Sequence, residues 1–197
     1  MIAFHLDSET PAVAAPPVVF RVAQPGDAPA IVELQQCSLR TLSRGYYDEA
    51  QVESFVQYLP TLEQHLLDDG TFFVAERAGR IVGCGGWSCR TPAYQSAASG
   101  ERANPPGSPK VRAMYVHPDV ARQGIGRALL QHIEGAIARH GYDRVGLDAT
   151  LPGVPLYRAC GYRPVAKTEV VLPNGVRMPA VSMRKRLDRK SIPGAAP

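Results

Sequence analysis

The alternation of apolar and polar residues is most regular between residues 110 and 141, where it predicts a strand, a tight turn and a helix in direct succession. Residues 111–116 are rich in β-forming side chains and end at a His-Pro pair, which favours a mostly buried strand. After the turn, side chains at helical spacing mark one face of a helix: Leu129, Ile133, Ala136, Ile137 and His140. Gly141 then stands where a glycine commonly ends a helix.

Similar patterns predict further elements along the chain. Strands are predicted at residues 18–23, 71–76, 80–87 and 144–149 and in a final hairpin of residues 162–171 and 176–187. Helices are predicted from Ala28 to near Arg44, over a second region that begins at Tyr46, and over a short segment that carries Tyr157. A strand, a helix and a second strand in this order favour a parallel pair joined by a right-handed crossover. The pattern therefore predicts an α/β fold around a mixed sheet.

Small residues interrupt this pattern in two places. Gly83, Gly85 and Gly86 fall within one predicted strand and indicate a bulge or a close backbone neighbour. Residues 91–109 are rich in Ser, Ala, Gly and Pro and predict a loop that is longer than most in compact domains. That loop is interpreted either as a lid or as a flexible insertion.

The domain organisation follows from these elements. A chain of 197 residues and 21.3 kDa fits one domain. Residues 1–17 contain three prolines and predict a disordered tail, residues 18–187 form the domain, and residues 188–197 form a second tail. The N-terminal segment lacks the basic start of a secretory signal, so a cytoplasmic protein is expected.

Composition excludes several classes of function. Hydrophobic residues make up 45% of the chain and charged residues 20%, which is typical of a globular domain. No apolar run approaches the roughly 18 residues of a membrane helix, so no membrane partner is expected. The formal charge of +4 is spread along the chain without a nucleic-acid motif, so nucleic acid is not an expected partner. The four cysteines form no CxxC pair, which argues against a metal site.

The turn before the long helix is the main candidate for chemistry. Gly124 and Gly126 allow a close approach of the backbone to a ligand and φ angles that other residues resist. The first turn of the helix offers unpaired N–H groups and the positive end of the helix dipole, which together suit a phosphate or pyrophosphate. Arg122 and Arg127 flank this turn. A Gly-x-Gly turn also occurs where nothing binds, and the sequence has neither the Walker loop nor the third glycine of a dinucleotide fingerprint.

Two sequence blocks narrow the choice. YVHPDVARQGIGRALL resembles motif A of the GCN5-related N-acetyltransferase (GNAT) family, although Ala121 departs from the Gln or Arg that usually begins its loop. VPLYRACGYRP, at residues 154–164, resembles a later block of the same family. The resemblance covers residues 18–187 and implies the GNAT-type acyl-CoA N-acyltransferase fold. That fold has a central mixed, mostly antiparallel sheet with helices on both faces, and its fourth and fifth strands splay apart around the cofactor.

The resemblance also implies roles for individual residues. Acetyl-CoA is the implied co-substrate, and its expected contacts are Met114, Tyr115, Val116, Arg122, Gln123, Gly124, Ile125, Gly126, Arg127 and Tyr157. The backbone amide of Met114 is expected to polarise the thioester carbonyl, and Tyr157 is expected to act as the acid that protonates the leaving thiolate. Tyr46 and Tyr47 are candidate contacts of the acceptor, although aromatic residues before a helix also serve as packing residues. No metal is expected.

The implied function is transfer of an acetyl group from acetyl-CoA to a primary amine by direct attack in a ternary complex. Its expected partners are a small-molecule or peptide amine, and the chain is expected to be a monomer or a homodimer. No residue stands out as the general base, since Lys110 replaces the glutamate that many relatives carry near the start of the fourth strand. A non-catalytic acyl-CoA-binding module and a transferase for another acyl donor are the alternatives.

Overall fold

The computed structural model describes residues 16–58, 64–90 and 107–187. Residues 1–15 of the predicted tail at 1–17, the whole of the predicted tail at 188–197 and residues 91–106 of the predicted long loop lie outside the described residues. Together the three described ranges hold every strand that the sequence predicts.

A single sheet forms the centre of the described chain. Its seven strands are β1 (Val18–Val22), β2 (Phe72–Arg77), β3 (Arg80–Ser88), β4 (Lys110–Val116), β5 (Arg144–Thr150), β6 (Arg163–Val171) and β7 (Arg177–Arg186). They lie in the order β1-β2-β3-β4-β5-β7-β6. Neighbouring strands are antiparallel except for β4 and β5, which are parallel. The prediction of a mixed, mostly antiparallel sheet is confirmed.

Helices cover both faces of this sheet, also as predicted. They are α1 (Ala28–Leu42), α2 (Glu49–Tyr58), α3 (Gln64–Asp68), α4 (Ile125–Arg139) and α5 (Val154–Ala159). On one face, Ile31 and Leu34 of α1 pack with the β2 side chains Phe72 and Val74. On the other face, α4 buries four of the five side chains predicted from its spacing against β3, β4 and β5, with Leu129, Ile133 and Ile137 fully inaccessible to solvent. The fifth, His140, is exposed, because α4 ends one residue before it.

The burial of α4 fixes where its first turn lies. A fully buried aliphatic side chain contributes about 1.5–3 kcal/mol, so this face of α4 anchors the helix firmly on the sheet. Replacing Ile133 by alanine should therefore cost about 2–5 kcal/mol. Since the helix is held along its length, the turn at its N-terminus has a defined position beside the end of β4.

A bulge in β4 changes the course of the central strand. Gly86 pairs with Arg112 and the next pair on is Cys84 with Tyr115, so Gly85 alone stands opposite two residues of β4. The first of those two, Ala113, has a φ of 47°, in the left-handed region where a residue with a side chain is disfavoured. A side chain at Gly85 would begin 3.2 Å from the Met114 Cα and the Ile133 Cδ1. The bulge predicted from the glycines is confirmed, and its extra residue belongs to the neighbouring strand.

The bulge accompanies a separation of β4 from β5. The two strands pair only where Lys110 lies beside Gly146, and the Gly146 N–H donates to the Pro109 carbonyl at 3.0 Å. Beyond this point, no further pair joins β4 to β5 in the described chain. The sheet therefore opens into a gap on the side toward which β4 and β5 end.

Candidate active site

A cavity of about 550 Å³ occupies the gap between the ends of β4 and β5. Four parts of the chain build its wall: the end of α1 with the turn after it, β4, the turn that begins α4, and the segment from the end of β5 through α5. The predicted site residues that line this cavity are Tyr46, Met114, Tyr115, Val116, Arg122, Gly124, Gly126, Arg127 and Tyr157. The structure thus brings most of the predicted site together in one place.

The turn into α4 supplies the anion-binding geometry of this cavity. Gly124 is the residue immediately before α4 and has a φ of 85°, and Arg122 has a φ of 66°. The first N–H groups of α4 have no partner within the helix, because the earliest helical bond runs from the Ala128 N–H to the Gly124 carbonyl. These groups and the positive end of a 15-residue helix favour a phosphate.

The two glycines of this turn serve different purposes. Gly124 takes a left-handed φ, as expected, and a side chain there would meet no atom within 4 Å. Gly126 does not take a left-handed φ, contrary to expectation, because it already lies within α4. A Cβ at Gly126 would lie 3.2 Å from the Leu156 Cδ2 and 3.4 Å from the Val116 Cγ2, which both belong to cavity-lining residues. Gly124 is therefore required by backbone conformation and Gly126 by space in the cavity.

The β4 side of the cavity offers backbone groups as well as side chains. Met114, Tyr115 and Val116 lie beyond the single pair that joins β4 to β5. Backbone N–H and C=O groups on a strand edge bind an extended ligand in the way that another strand would. This edge can therefore hold a linear amide-containing molecule between the two strands.

Tyr157 lies on α5 at the side of the cavity. The residue is only 8% exposed, and its ring packs edge-on against Tyr162, with ring centroids 5.7 Å apart. Gly153 permits this position, because a Cβ there would lie 3.0 Å from the Tyr157 Cε2. Burial, with a smaller contribution from Cys160, raises the pKa of Tyr157 above its ordinary value of 10.0. The phenol is therefore protonated at neutral pH and can donate a proton.

Three predicted site residues have side chains elsewhere. The Gln123 side chain accepts a hydrogen bond from Arg77 at 2.8 Å, and Ile125 is buried in the core with Ala75 and Val82. Tyr47 does not line the cavity, and its hydroxyl is engaged by two backbone groups, donating to the Pro179 carbonyl and accepting from the Leu151 N–H. Gln123 and Ile125 can contribute only backbone groups to the cavity, and the position of Tyr47 favours the packing role that the sequence left open.

The sequence did not identify the wall that α1 contributes. Besides the predicted Tyr46, this wall consists of Ser38, Leu39, Leu42 and Ser43. Helical spacing in the sequence predicts a face of α1 that consists of Ile31, Leu34, Gln35 and Leu39 and does not include Leu42. A usable signal was present, because Leu42 and Tyr46 are apolar residues that follow that face without belonging to it.

Residues 68–164 match the family model described as an acetyltransferase (GNAT) domain. The chain carries a GNAT acetyltransferase domain. Solved structures agree in fold: a GCN5-related N-acetyltransferase from Rhodopseudomonas palustris is 20% identical with a TM-score of 0.67, covering 88% of this chain and 97% of that one. The PaiA N-acetyltransferase from Thermoplasma acidophilum, in complex with coenzyme A, is 16% identical with a TM-score of 0.61, covering 86% and 99%. YncA from Salmonella typhimurium, with its cofactor acetyl-CoA, is 18% identical with a TM-score of 0.57, covering 91% and 99%.

No curated protein sequence matches the chain. The GNAT match contains β4, the turn into α4 and the cavity-lining part of α5, but it does not contain α1. The two sides of the cavity therefore differ: one lies within the family match, and the α1 wall lies outside it.

The described residues were also compared with the requirements of a metal site, a membrane-spanning helix and a disulfide bond. The described ranges contain no group of three or more His, Cys, Asp and Glu residues arranged to hold a metal ion. Within the same ranges, no helix combines the length and the apolar character needed to cross a membrane. The cysteines are all free thiols: Cys37, Cys84, Cys89 and Cys160.

Proposed function

We propose that this protein is an acetyl-CoA-dependent N-acetyltransferase that acts on a primary amine by direct attack in a ternary complex. The observation that carries the proposal is the convergence, on one cavity, of the part of β4 that lies beyond its pair with β5, the N-terminus of α4 and the buried phenol of Tyr157. Two solved structures of the same fold, those from T. acidophilum and S. typhimurium, contain coenzyme A or acetyl-CoA. Acetyl-CoA would be a substrate of the reaction, since its acetyl group leaves with the product.

Binding would use two regions of the cavity. The pyrophosphate would lie at the turn into α4, where backbone N–H groups are unpaired and Arg122 and Arg127 line the cavity. The pantetheine arm, which contains amide groups, would lie along the edge formed by Met114, Tyr115 and Val116. Holding these remote parts of the substrate orients the thioester at the reacting carbon, so binding energy serves the chemical step.

The chemical step joins the amine nitrogen to the acetyl carbonyl carbon. Negative charge develops on the carbonyl oxygen, and the backbone N–H of Met114 is the proposed donor to that oxygen. The tetrahedral intermediate then expels the CoA sulfur as a thiolate, and the nitrogen loses its extra proton to water. The products are the N-acetylated amine and CoA.

Tyr157 would stabilise the leaving thiolate through its phenol O–H. A thiol has a pKa of about 8.5, and the pKa of Tyr157 lies above 10, so the phenol would be protonated when the C–S bond breaks. Transfer from the phenol to a free thiolate would be uphill if complete, so its main contribution would be a hydrogen bond that strengthens as charge grows on sulfur. The phenol would keep its hydrogen, and the departing thiolate would take its proton from the water that received the amine proton.

Calorimetry and a thiol-release assay test this function together. We expect the purified folded protein to bind acetyl-CoA with a dissociation constant of about 1 µM to 1 mM, the range of common substrate affinities. Free CoA thiol should appear only when an amine is also present. Absence of any binding heat with CoA and acetyl-CoA would contradict the proposal.

Substitution of Cys160 distinguishes direct attack by the amine from a mechanism in which the enzyme is first acetylated. It lies three residues after Tyr157 and is a free thiol, so a covalent acetyl-cysteine is the competing mechanism. Direct attack predicts that Cys160→Ser keeps its transfer rate within about threefold and that intact mass shows no acetylated enzyme without an amine. An acetyl group on Cys160 that an amine then removes would contradict direct attack.

A further inference from the structure

The side of the cavity formed by α1 bears on which amines the enzyme accepts. Resting on the function proposed above, we propose that the acceptor is a weakly basic primary amine joined to an apolar group. The inference comes from two properties of the described cavity wall, its apolar surface at α1 and its lack of an acidic side chain.

The apolar surface consists of Leu39, Leu42 and Tyr46. Leu39 is 5% exposed, whereas Leu42 is 36% exposed and Tyr46 is 47% exposed although both have large apolar side chains. Exposed apolar residues are ordinary when scattered, but these two lie at the same cavity and continue its buried wall. An apolar group would shield Leu42 and Tyr46 from water, and we propose that the acceptor carries that group.

The same cavity is poor in groups that would hold a cation. Among its described lining residues there is no Asp, Glu or His, and the charged side chains are Arg122 and Arg127. A protonated amine would find no carboxylate there, and both arginines are proposed above to bind the pyrophosphate. Polyamines and other polycations are therefore disfavoured, and an amine that is already neutral is favoured.

The pKa of the free amine decides how much of it is neutral, and therefore able to attack, at pH 7. An α-amino group has a pKa of about 8 and an alkylamine about 10.4, so at pH 7 about one-tenth of the first and about 0.04% of the second is neutral. Without a carboxylate to remove the proton, the reactive fraction differs by about two hundredfold. An amine next to a carbonyl group, as in an amino-acid amide, therefore has the basicity that this site can use.

Matched acceptors test the basicity of the amine. L-Phenylalaninamide and phenethylamine carry the same aromatic ring on amines of different pKa. We expect kcat/KM at pH 7 to be at least tenfold higher for phenylalaninamide, and kcat/KM for phenethylamine to rise about tenfold per pH unit between pH 7 and 9. Comparable values for the two amines at pH 7, or faster transfer to spermidine, would overturn the inference.

Matched variants test the apolar wall. Glycinamide has the same kind of amine as phenylalaninamide but no apolar group, so the ratio of the two kcat/KM values measures the contribution of the wall. We expect Tyr46→Ala to lower this ratio at least fivefold, and Tyr58→Ala to leave it unchanged, because Tyr58 is an exposed tyrosine outside the cavity lining. Equal ratios in wild type and Tyr46→Ala would overturn the role of the wall.

Two further variants examine acidic residues outside the described ranges. Glu63→Gln and Glu101→Gln should each leave the pH dependence with phenethylamine unchanged. A tenfold loss of kcat/KM in either would identify a carboxylate base and overturn the preference for weakly basic amines. Failure of the proposed function gives a different result, since no amine would then release CoA.

Discussion

The hydroxyl of Tyr47 accepts a hydrogen bond of 2.8 Å from the backbone N–H of Leu151. The same hydroxyl donates to the Pro179 carbonyl at 2.6 Å. Tyr47 follows α1, whereas Leu151 begins the turn that leads to α5 and Pro179 belongs to β7. One side chain thus joins the α1 wall of the cavity to the segment that carries Tyr157.

Tyr47→Phe should lower the free energy of unfolding by about 1–2 kcal/mol. The substitution keeps the ring but leaves a backbone donor and a backbone acceptor without this partner. For a domain of this size, a loss of 1 kcal/mol lowers Tm by about 2–4 °C. Thermal unfolding of Tyr46→Phe provides the control, and an equal Tm for the two variants would contradict the bridging role of Tyr47.

Tyr157→Phe should lower kcat by about 10²–10⁴-fold and leave acetyl-CoA affinity within about threefold. The ring remains packed on Tyr162, so the change removes the proposed donor to the thiolate and little else. Steady-state kinetics and calorimetry measure the two quantities. Parallel losses in kcat and in acetyl-CoA affinity would mean that the hydroxyl serves binding.

Gly124→Ala and Gly126→Ala should fail in different ways. Alanine at a φ of 85° should cost about 1–2 kcal/mol of stability at residue 124. Alanine at residue 126 lies within α4, where it is a better helix former than glycine by up to about 1 kcal/mol, but its Cβ narrows the cavity beside Val116 and Leu156. We expect Gly126→Ala to lose at least tenfold in acetyl-CoA affinity without losing stability. Denaturation and calorimetry on both variants check this, and unchanged affinity in Gly126→Ala would exclude the role given to that glycine.

His132 should make the protein less stable as the pH falls below 6.5. Burial, and secondly the positive charge of Arg139, lower the pKa of His132 from its ordinary 6.5. The unfolded chain then takes up a proton at a higher pH than the folded protein does, so the free energy of unfolding falls as the pH is lowered through this range. The His132 ring contacts Phe20 and Phe73, and His132→Phe keeps an aromatic ring there while removing the titration. Urea denaturation at pH 7 and at pH 5 should show a smaller difference in the variant, and an undiminished difference would assign the effect to other groups.

The sequence was most informative where local chemistry dictates local structure. The strand, turn and helix over residues 110–141 and the hairpin at Asn174-Gly175 depend on nearby residues, and the structure confirms them. Asp27 immediately precedes α1, where an aspartate commonly caps a helix, but its carboxylate accepts hydrogen bonds from Arg21 and the Gln24 N–H instead. Arg21 is brought there by the fold, which a local pattern does not encode.

Some residues of the candidate site could likewise be predicted from local sequence, whereas others depend on the assembled fold. The side proposed to bind the cofactor comes, apart from Tyr157, from residues 114–127, so most of its residues could be predicted together. The α1 wall and Tyr47 depend on contacts between segments about a hundred residues apart, as the bond from Leu151 to Tyr47 illustrates. Such contacts follow from the assembled fold, and spacing along the chain does not reveal them.

The extra residue at Ala113 decides which side chains of β4 face α4. Val111 before it and Met114 after it both pack toward α4, whereas Ala113 and Tyr115 pack toward the other face. If β4 lost the bulge but kept its number of residues, every side chain after it would point to the opposite face. Such a regular strand could still complete the sheet, yet Met114 and Tyr115 would exchange places at the cavity. Natural variants of this protein should therefore tolerate changed side chains in β4 more readily than changes that remove the bulge.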